Sequence, residues 1–249
     1  MVRSAGNART LGEGRMIDTA KNEEINRELR AVYREHTAEF LWEYGRAFGQ
    51  VDPTPPHRLN EFGIVDPAAY DTHRGRLFIA KETHGWSDAD FAKGLLFRDW
   101  LSAIARQGLP QEEDSHVRRY PRMWYDLGRW SLLLQDPAAS LPQLASAKDK
   151  ALAALGAIAY TNLNKVRGLA ASRREYAQLA AAPVTGRVLR RELQLLRPRQ
   201  VVLCGVKPEV FQRLAPEYEG RLLAMPHPAS RRLTTLARLE LLKRQLEDS

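Results

Sequence analysis

Apolar residues in this chain recur at two periods, and the alternation between them outlines a fold. Ile25, Leu29, Val32, Tyr33, Phe40, Leu41, Tyr44 and Phe48 return at three- and four-residue steps and Gly49 supplies a stop, so a long amphipathic helix is predicted over 23–49. Residues 1–20 carry neither period and are expected to be weakly ordered. Pro53, Pro55 and Pro56 open an irregular stretch that runs to Arg74. Beyond it the short apolar runs Arg76–Ala80, 157–161, Gln200–Cys204 and Arg221–Met225 read as strands.

Helical patterns separate these strands. One, capped by Ser87 and ended by Gly108, carries Phe91, Leu95, Trp100, Leu101 and Ile104. A second, over 121–134, carries Met123, Trp124, Leu127 and Trp130, and a third covers 144–155. A basic, partly helical stretch with Arg173, Arg174, Arg190 and Arg191 follows, then the short helix Pro208–Leu214 and an amphipathic helix over 230–246. Four strands alternating with helices predict an α/β fold, a three-layer α/β/α sandwich with a four-stranded parallel sheet. Residues 71–249 make up that domain in this reading, and 1–70 an N-terminal helical extension.

In such sheets ligands bind beyond the carboxyl ends of the strands. Those positions hold Glu82 and His84 after the first strand, and Asn162 and Lys165 after the second. Gly205 and Lys207 follow the third, and His227, Ser230, Arg231 and Arg232 follow the fourth. A carboxylate, an amide, a histidine and a cationic loop are thereby directed to one edge.

Composition narrows the chemistry. Cys204 is the single cysteine, which excludes a disulfide framework or a metal cluster on several thiolates within the chain. The six histidines include no H-x-x-x-H pair, so neither a dedicated metal site nor a cofactor is expected. No P-loop, no G-x-G-x-x-G after the first strand and no G-x-S-x-G elbow is present. The most apolar run, over 151–160, is well short of the roughly 18 residues of a membrane span, and no signal peptide pattern opens the chain, so a cytoplasmic protein is expected. The formal charge is +8, and residues 161–249 hold 17 basic against 8 acidic side chains, so the excess lies in the last third. That distribution suits a polyanion such as nucleic acid. Arginine supplies 30 of the 38 basic residues, which fits bidentate phosphate contacts, although an arginine-rich proteome produces the same bias.

Three motifs in order resemble the uracil-DNA glycosylase superfamily. Its cluster-containing branch has an apolar strand followed by G-E-x-P-G, then T-N-x-x-K after a second strand, then an H-P-S or H-P-A loop near the end. Here the matching runs are Ile79-Ala80-Lys81-Glu82-Thr83-His84-Gly85, Tyr160-Thr161-Asn162-Leu163-Asn164-Lys165, and Met225-Pro226-His227-Pro228-Ala229-Ser230. The strand from Pro198 to Gly205 is similar to the family's strand before the last motif, and the resemblance spans about residues 75–247. Lys81 stands where the branch has Gly and His84 where it has Pro, and the cluster cysteines are absent, so the chain resembles a divergent member.

The resemblance implies a monomeric DNA glycosylase that flips out and hydrolytically removes uracil or a modified or damaged pyrimidine, leaving an abasic site. Some relatives are associated with excision of hypermodified bases from phage DNA, so repair and defence are both implied roles. Glu82 then faces the sugar, stabilising positive charge or orienting water, and His227 donates to a base oxygen. His84 replaces or assists one of them. Asn162 presents donor and acceptor to the base edge, Phe97 or Trp86 stacks on the flipped base, and Lys165 and Ser230 hold phosphate. Arg231, Arg232 or Leu233 fills the vacated stack.

Each residue also has a plainer use. Glu82 can pair with Lys81 in a solvated loop, His227 can cap a turn, Asn162 can satisfy local backbone, and Phe97 and Trp86 can serve the core. Arg231 and Arg232 can form a solvated first helical turn. Two other functions fit the same motifs: an inactive glycosylase fold that binds nucleic acid, and an enzyme acting on free nucleosides or nucleotides.

Overall fold

The computed structural model describes residues 10–11, 15–50, 57–81, 83–84, 97–109, 121–168 and 174–248. Near the start of the chain, β1 (Thr10–Leu11) pairs antiparallel with β2 (Arg15–Met16), where the sequence carried no strand signal. Helix α1 (Thr19–Phe48) begins ahead of its apolar pattern because the Asp18 carboxylate accepts the Lys21 N–H at 3.0 Å. Its buried face, including Leu29, Tyr33, Phe40 and Tyr44, joins the same hydrophobic core as Leu77, Phe78 and Ile79. The N-terminal helix is therefore part of the main packing unit and not an appendage to it.

The central sheet has five strands. They are β3 (Gly63–Ile64), β4 (Arg76–Ala80), β6 (Ala159–Asn162), β8 (Gln200–Cys204) and β9 (Arg221–Met225), in the order β3-β6-β4-β8-β9. The four expected parallel strands are present, and the fifth, β3, runs antiparallel to β6 and corrects the predicted count. A two-residue strand has no alternation to read, and β3 is held as much by α1 as by β6. The Asn26 amide donates to Ile64 O at 3.0 Å and accepts from Ile64 N at 2.9 Å. At the opposite edge the Gln245 amide bonds Ala224 in the same double fashion, at 2.8 and 2.9 Å. Both edges thus have backbone groups satisfied by a side-chain amide, which blunts them against pairing with another chain.

The remaining helices are α2 (Phe97–Gln107), α3 (Pro121–Gln135), α4 (Leu141–Ser146), α5 (Lys148–Ala154), α6 (Arg174–Ala181), α7 (Pro183–Leu196), α8 (Pro208–Leu214) and α9 (Thr235–Glu247). The helix expected over 144–155 is broken at Ala147, and a 3-10 turn at Leu155–Ala157 delays β6 to Ala159. Successive residues of β6 face opposite ways. Tyr160 lies against Phe97 of α2 and Trp124 of α3, whereas the Thr161 hydroxyl bonds Glu192 of α7. Among the described residues no helix is long and apolar enough to cross a membrane.

Candidate functional site

The register aligns the ends of the parallel strands. Ala80 pairs with Asn162, and Cys204 with Met225, so the segments after β4, β6, β8 and β9 all leave from one edge. Past β4 the chain runs on to α2 and α3 on the Tyr160 side, and past β6 to α6 and α7 on the Thr161 side. The two connections cover opposite faces of the sheet, but immediately past the strands they stay side by side. The pairing continues beyond the strands: Leu163 N–H donates to Ala80 O at 2.9 Å and Asn164 N–H to Lys81 O at 2.8 Å. A short parallel ladder between β5 (Thr83–His84) and β7 (Arg167–Gly168) then places His84 opposite Gly168.

Asn162 is the last residue of β6, beside this continued pairing. It is buried, and the Tyr160 hydroxyl donates to its Oδ1 at 3.0 Å, which orients the amide. Tyr160 is itself stacked on Phe97, with ring centroids 5.6 Å apart and planes at 27°. Phe97 is only 2% exposed and enclosed by Phe62, Trp100, Trp124 and Tyr160. It supports the residue that orients Asn162, and its enclosure argues against the expected stacking on a flipped base.

Lys165 also departs from expectation. Its side chain is 1% exposed, and Nζ donates to Thr161 Oγ1 at 2.5 Å and to both oxygens of Glu192 at 2.7 and 2.8 Å. All three ammonium protons are thereby engaged inside the protein, so this residue is not at a phosphate-facing surface. Tyr33 of α1 adds a hydrogen bond to Glu192 Oε1 at 2.5 Å. Burial pulls the Lys165 ammonium below the ordinary lysine range, against the opposing pull of Glu192. Burial raises the Tyr33 phenol well above its ordinary range, and the Glu192 carboxylate adds to this.

His227 lies beyond β9, next to the end of β8. Gly205, at φ +76°, donates its N–H to Met225 O at 2.8 Å, and a β-carbon on it would sit 2.8 Å from His227 Cβ. The Ala229 N–H donates to His227 Nδ1 at 3.2 Å, so in the neutral ring the proton resides on Nε2. The Ser230 N–H turns back to His227 O at 2.8 Å. The loop is gripped from below by Arg238 of α9, which is fully buried and donates to the carbonyls of Pro228 and Ser230 and to the Asp126 carboxylate of α3. Asp126 in turn accepts from Arg129 and from the Thr235 hydroxyl, each at 3.2 Å.

Helix α9 starts at Thr235, with Thr234 as its cap, and not at residue 230. Arg231 and Arg232 accordingly belong to an exposed loop and not to a first helical turn. Ser230 accepts the Arg232 N–H at 3.4 Å. Leu233 and Leu236 are 37% and 38% exposed, and Arg122 holds the Leu233 carbonyl. The loop tip therefore combines two cations with apolar side chains.

Glu82 and Trp86 lie outside the described residues, and of His84 only the backbone is described. Among the described residues no group of three or more histidine, cysteine, aspartate or glutamate side chains is arranged to hold a metal ion. A separate groove of about 480 Å³ lies between α1 and α2, lined by Arg27, Arg30, Arg98 and Arg106 together with Glu23 and Asp99. Arg30, Arg98 and Arg106 are paired there with Glu61, Asp99 and Asp66 at 2.6, 2.9 and 2.8 Å, which leaves the groove with little net charge.

Tyr33, Asp126, Glu192 and Arg238 do not stand at strand ends. A signal for two of them was present in the apolar stripes. Glu192 interrupts the run Val188, Leu189, Leu193, Leu196, and Arg238 shares a face with Leu242. A charge inside a helical apolar stripe points to a buried, paired ion. Comparison with known families finds no family that matches this chain, and comparison with curated proteins finds no match either.

Proposed function

We propose that this protein is a DNA base glycosylase that removes a uracil or a modified pyrimidine from a flipped-out nucleotide. An α/β fold with a five-stranded, mostly parallel sheet fits that reading. The observation that carries it is the shared edge: the oriented Asn162 amide and the His227 loop leave from one side of the sheet, with Arg231, Arg232 and Leu233 exposed beyond them. Cations and an apolar side chain on one loop are what phosphate contact and base displacement require.

In the reaction the bond between C1′ and the base nitrogen breaks, and its electron pair leaves with the base. Negative charge then develops on a base oxygen, where the Nε2–H of His227 donates. The Glu82 carboxylate stabilises the positive charge growing on the sugar and takes a proton from the water whose oxygen adds to C1′, and that proton passes on to the departed base anion. His84 assists one of these groups. Free base and an abasic deoxyribose result, with no cofactor consumed. Preorganised partners on both sides of the separating charges supply the rate enhancement.

The test uses single- and double-stranded oligonucleotides carrying uracil, hypoxanthine, hydroxymethylcytosine or its glucosylated form, scored for bound fraction, released base and strand breaks after alkali. At least one substrate is expected to yield base and breaks, and Glu82→Gln and His227→Ala are expected to abolish both without loss of folding. Salt-dependent DNA binding with no base release on any substrate would overturn the assignment in favour of a binding module. Full activity in both variants would overturn it as well, and turnover of free nucleosides alone would move it to another class.

A further inference from the structure

The segment from Thr161 to Lys165, which carries Asn162, is held from three sides. The ladder to Ala80 and Lys81 holds it from β4, and the Glu192 carboxylate holds Thr161 and Lys165, on either side of Asn162, from α7. The third hold comes from the first 70 residues. The Tyr33 hydroxyl bonds Glu192 at 2.5 Å, and the Asn60 N–H donates to Lys165 O at 2.6 Å. The rings of Tyr33 and Phe62 lie 5.8 and 5.4 Å from Lys165 Nζ, closing the pair off from water. The side chains of this network are all buried; what it fixes is where the strand end lies and hence where the Asn162 amide points.

We propose that Tyr33 and Glu192 are positioning residues for base recognition, setting through Thr161 and Lys165 the placement of Asn162, so that the N-terminal helix takes part in choosing the base. This rests on the glycosylase reading above. A buried ion pair can often be exchanged for apolar residues of similar volume with little loss of stability, so stability alone is weak grounds for this one. A positional role has a different signature. Recognition by hydrogen bonds depends on the amide lying within a few tenths of an ångström of its partner, and such sites reject the wrong ligand more strongly than they bind the right one.

The variants are Tyr33→Phe, which removes one hydrogen bond, and the double exchange Lys165→Met with Glu192→Leu, which removes the charges together. For each, kcat and KM are measured on the preferred base and on its closest competitor, alongside the thermal midpoint. The ratio of kcat/KM between the two bases is expected to fall about tenfold or more in both variants. KM for the preferred base should rise more than kcat falls, while Tyr33→Phe keeps a thermal midpoint within a few degrees of the parent. An active parent whose ratio is unchanged in Tyr33→Phe overturns this inference alone. A parent that releases no base from any substrate overturns the glycosylase reading and this inference with it.

Discussion

Gly205 touches His227 so closely that a single methyl group cannot be placed between them: a β-carbon at 205 would lie 2.8 Å from the histidine Cβ and 3.1 Å from its Cα. The glycine also adopts φ +76°, a region that strains any side chain. Gly205→Ala is therefore expected to push the histidine loop outward and to destabilise the fold by about 1–3 kcal/mol. Base release by the folded fraction measures the first effect, and urea unfolding measures the second. A variant with parental stability and activity would show that the contact relaxes without consequence.

Asp126 and Arg238 join α3 to the loop beyond β9. Asp126→Ala leaves Arg129 and Arg238 buried without their common carboxylate, and removal of one partner from such a cluster costs about 3–5 kcal/mol. Arg238→Lys keeps the charge but cannot reach two carbonyls and a carboxylate at once. Its expected phenotype is a smaller loss of stability with a large loss of activity. Denaturant titration and base release on the same samples distinguish the two variants.

The amides of Asn26 and Gln245 satisfy the two sheet edges, each through one donor and one acceptor. Asn26→Ala and Gln245→Ala each leave two backbone groups to find water or another strand. Each is expected to lower stability by roughly 1–3 kcal/mol and to increase association on heating. Thermal unfolding followed by light scattering gives both numbers.

Cys204 is fully buried in β8, and burial raises its thiol far above the ordinary range. The native protein is expected to resist thiol reagents until it unfolds. The pH dependence follows from linkage. Above the ordinary thiol pKa, roughly 8.5, the unfolded chain loses this proton while the native state keeps it, so this residue's contribution to stability falls as pH rises. Thermal midpoints between about pH 7 and pH 10 should decline less steeply in Cys204→Val than in the parent.

Where periodicity was strong, structure followed sequence closely. Arg76–Ala80, Gln200–Cys204 and Arg221–Met225 are strands over the residues their apolar runs delimit; the first two are buried on both faces and so read as continuous apolar stretches, while the third is a partly buried edge strand. The two-residue β3 had no such pattern, and its limits come from β6 and Asn26, both distant in sequence; the break at Ala147 is a local departure from helical backbone, φ -79° and ψ 74°.

The site divides in the same way. Sequence by itself determined that Asn162 and His227 stand at the ends of parallel strands, Asn162 as the last residue of β6 and His227 two residues past β9, since strand ends are marked locally by the loss of apolar residues. It could not determine what each side chain faces. Lys165 lies three residues after Asn162 in the same motif, yet its ammonium turns inward to Glu192, 27 positions later in the chain. Phe97 likewise closes an aromatic cluster with Phe62 and Tyr160. Only tertiary structure decided these orientations, because a charge or a ring settles where desolvation is best compensated, and the compensating partners come from helices and strands that packing alone brings together.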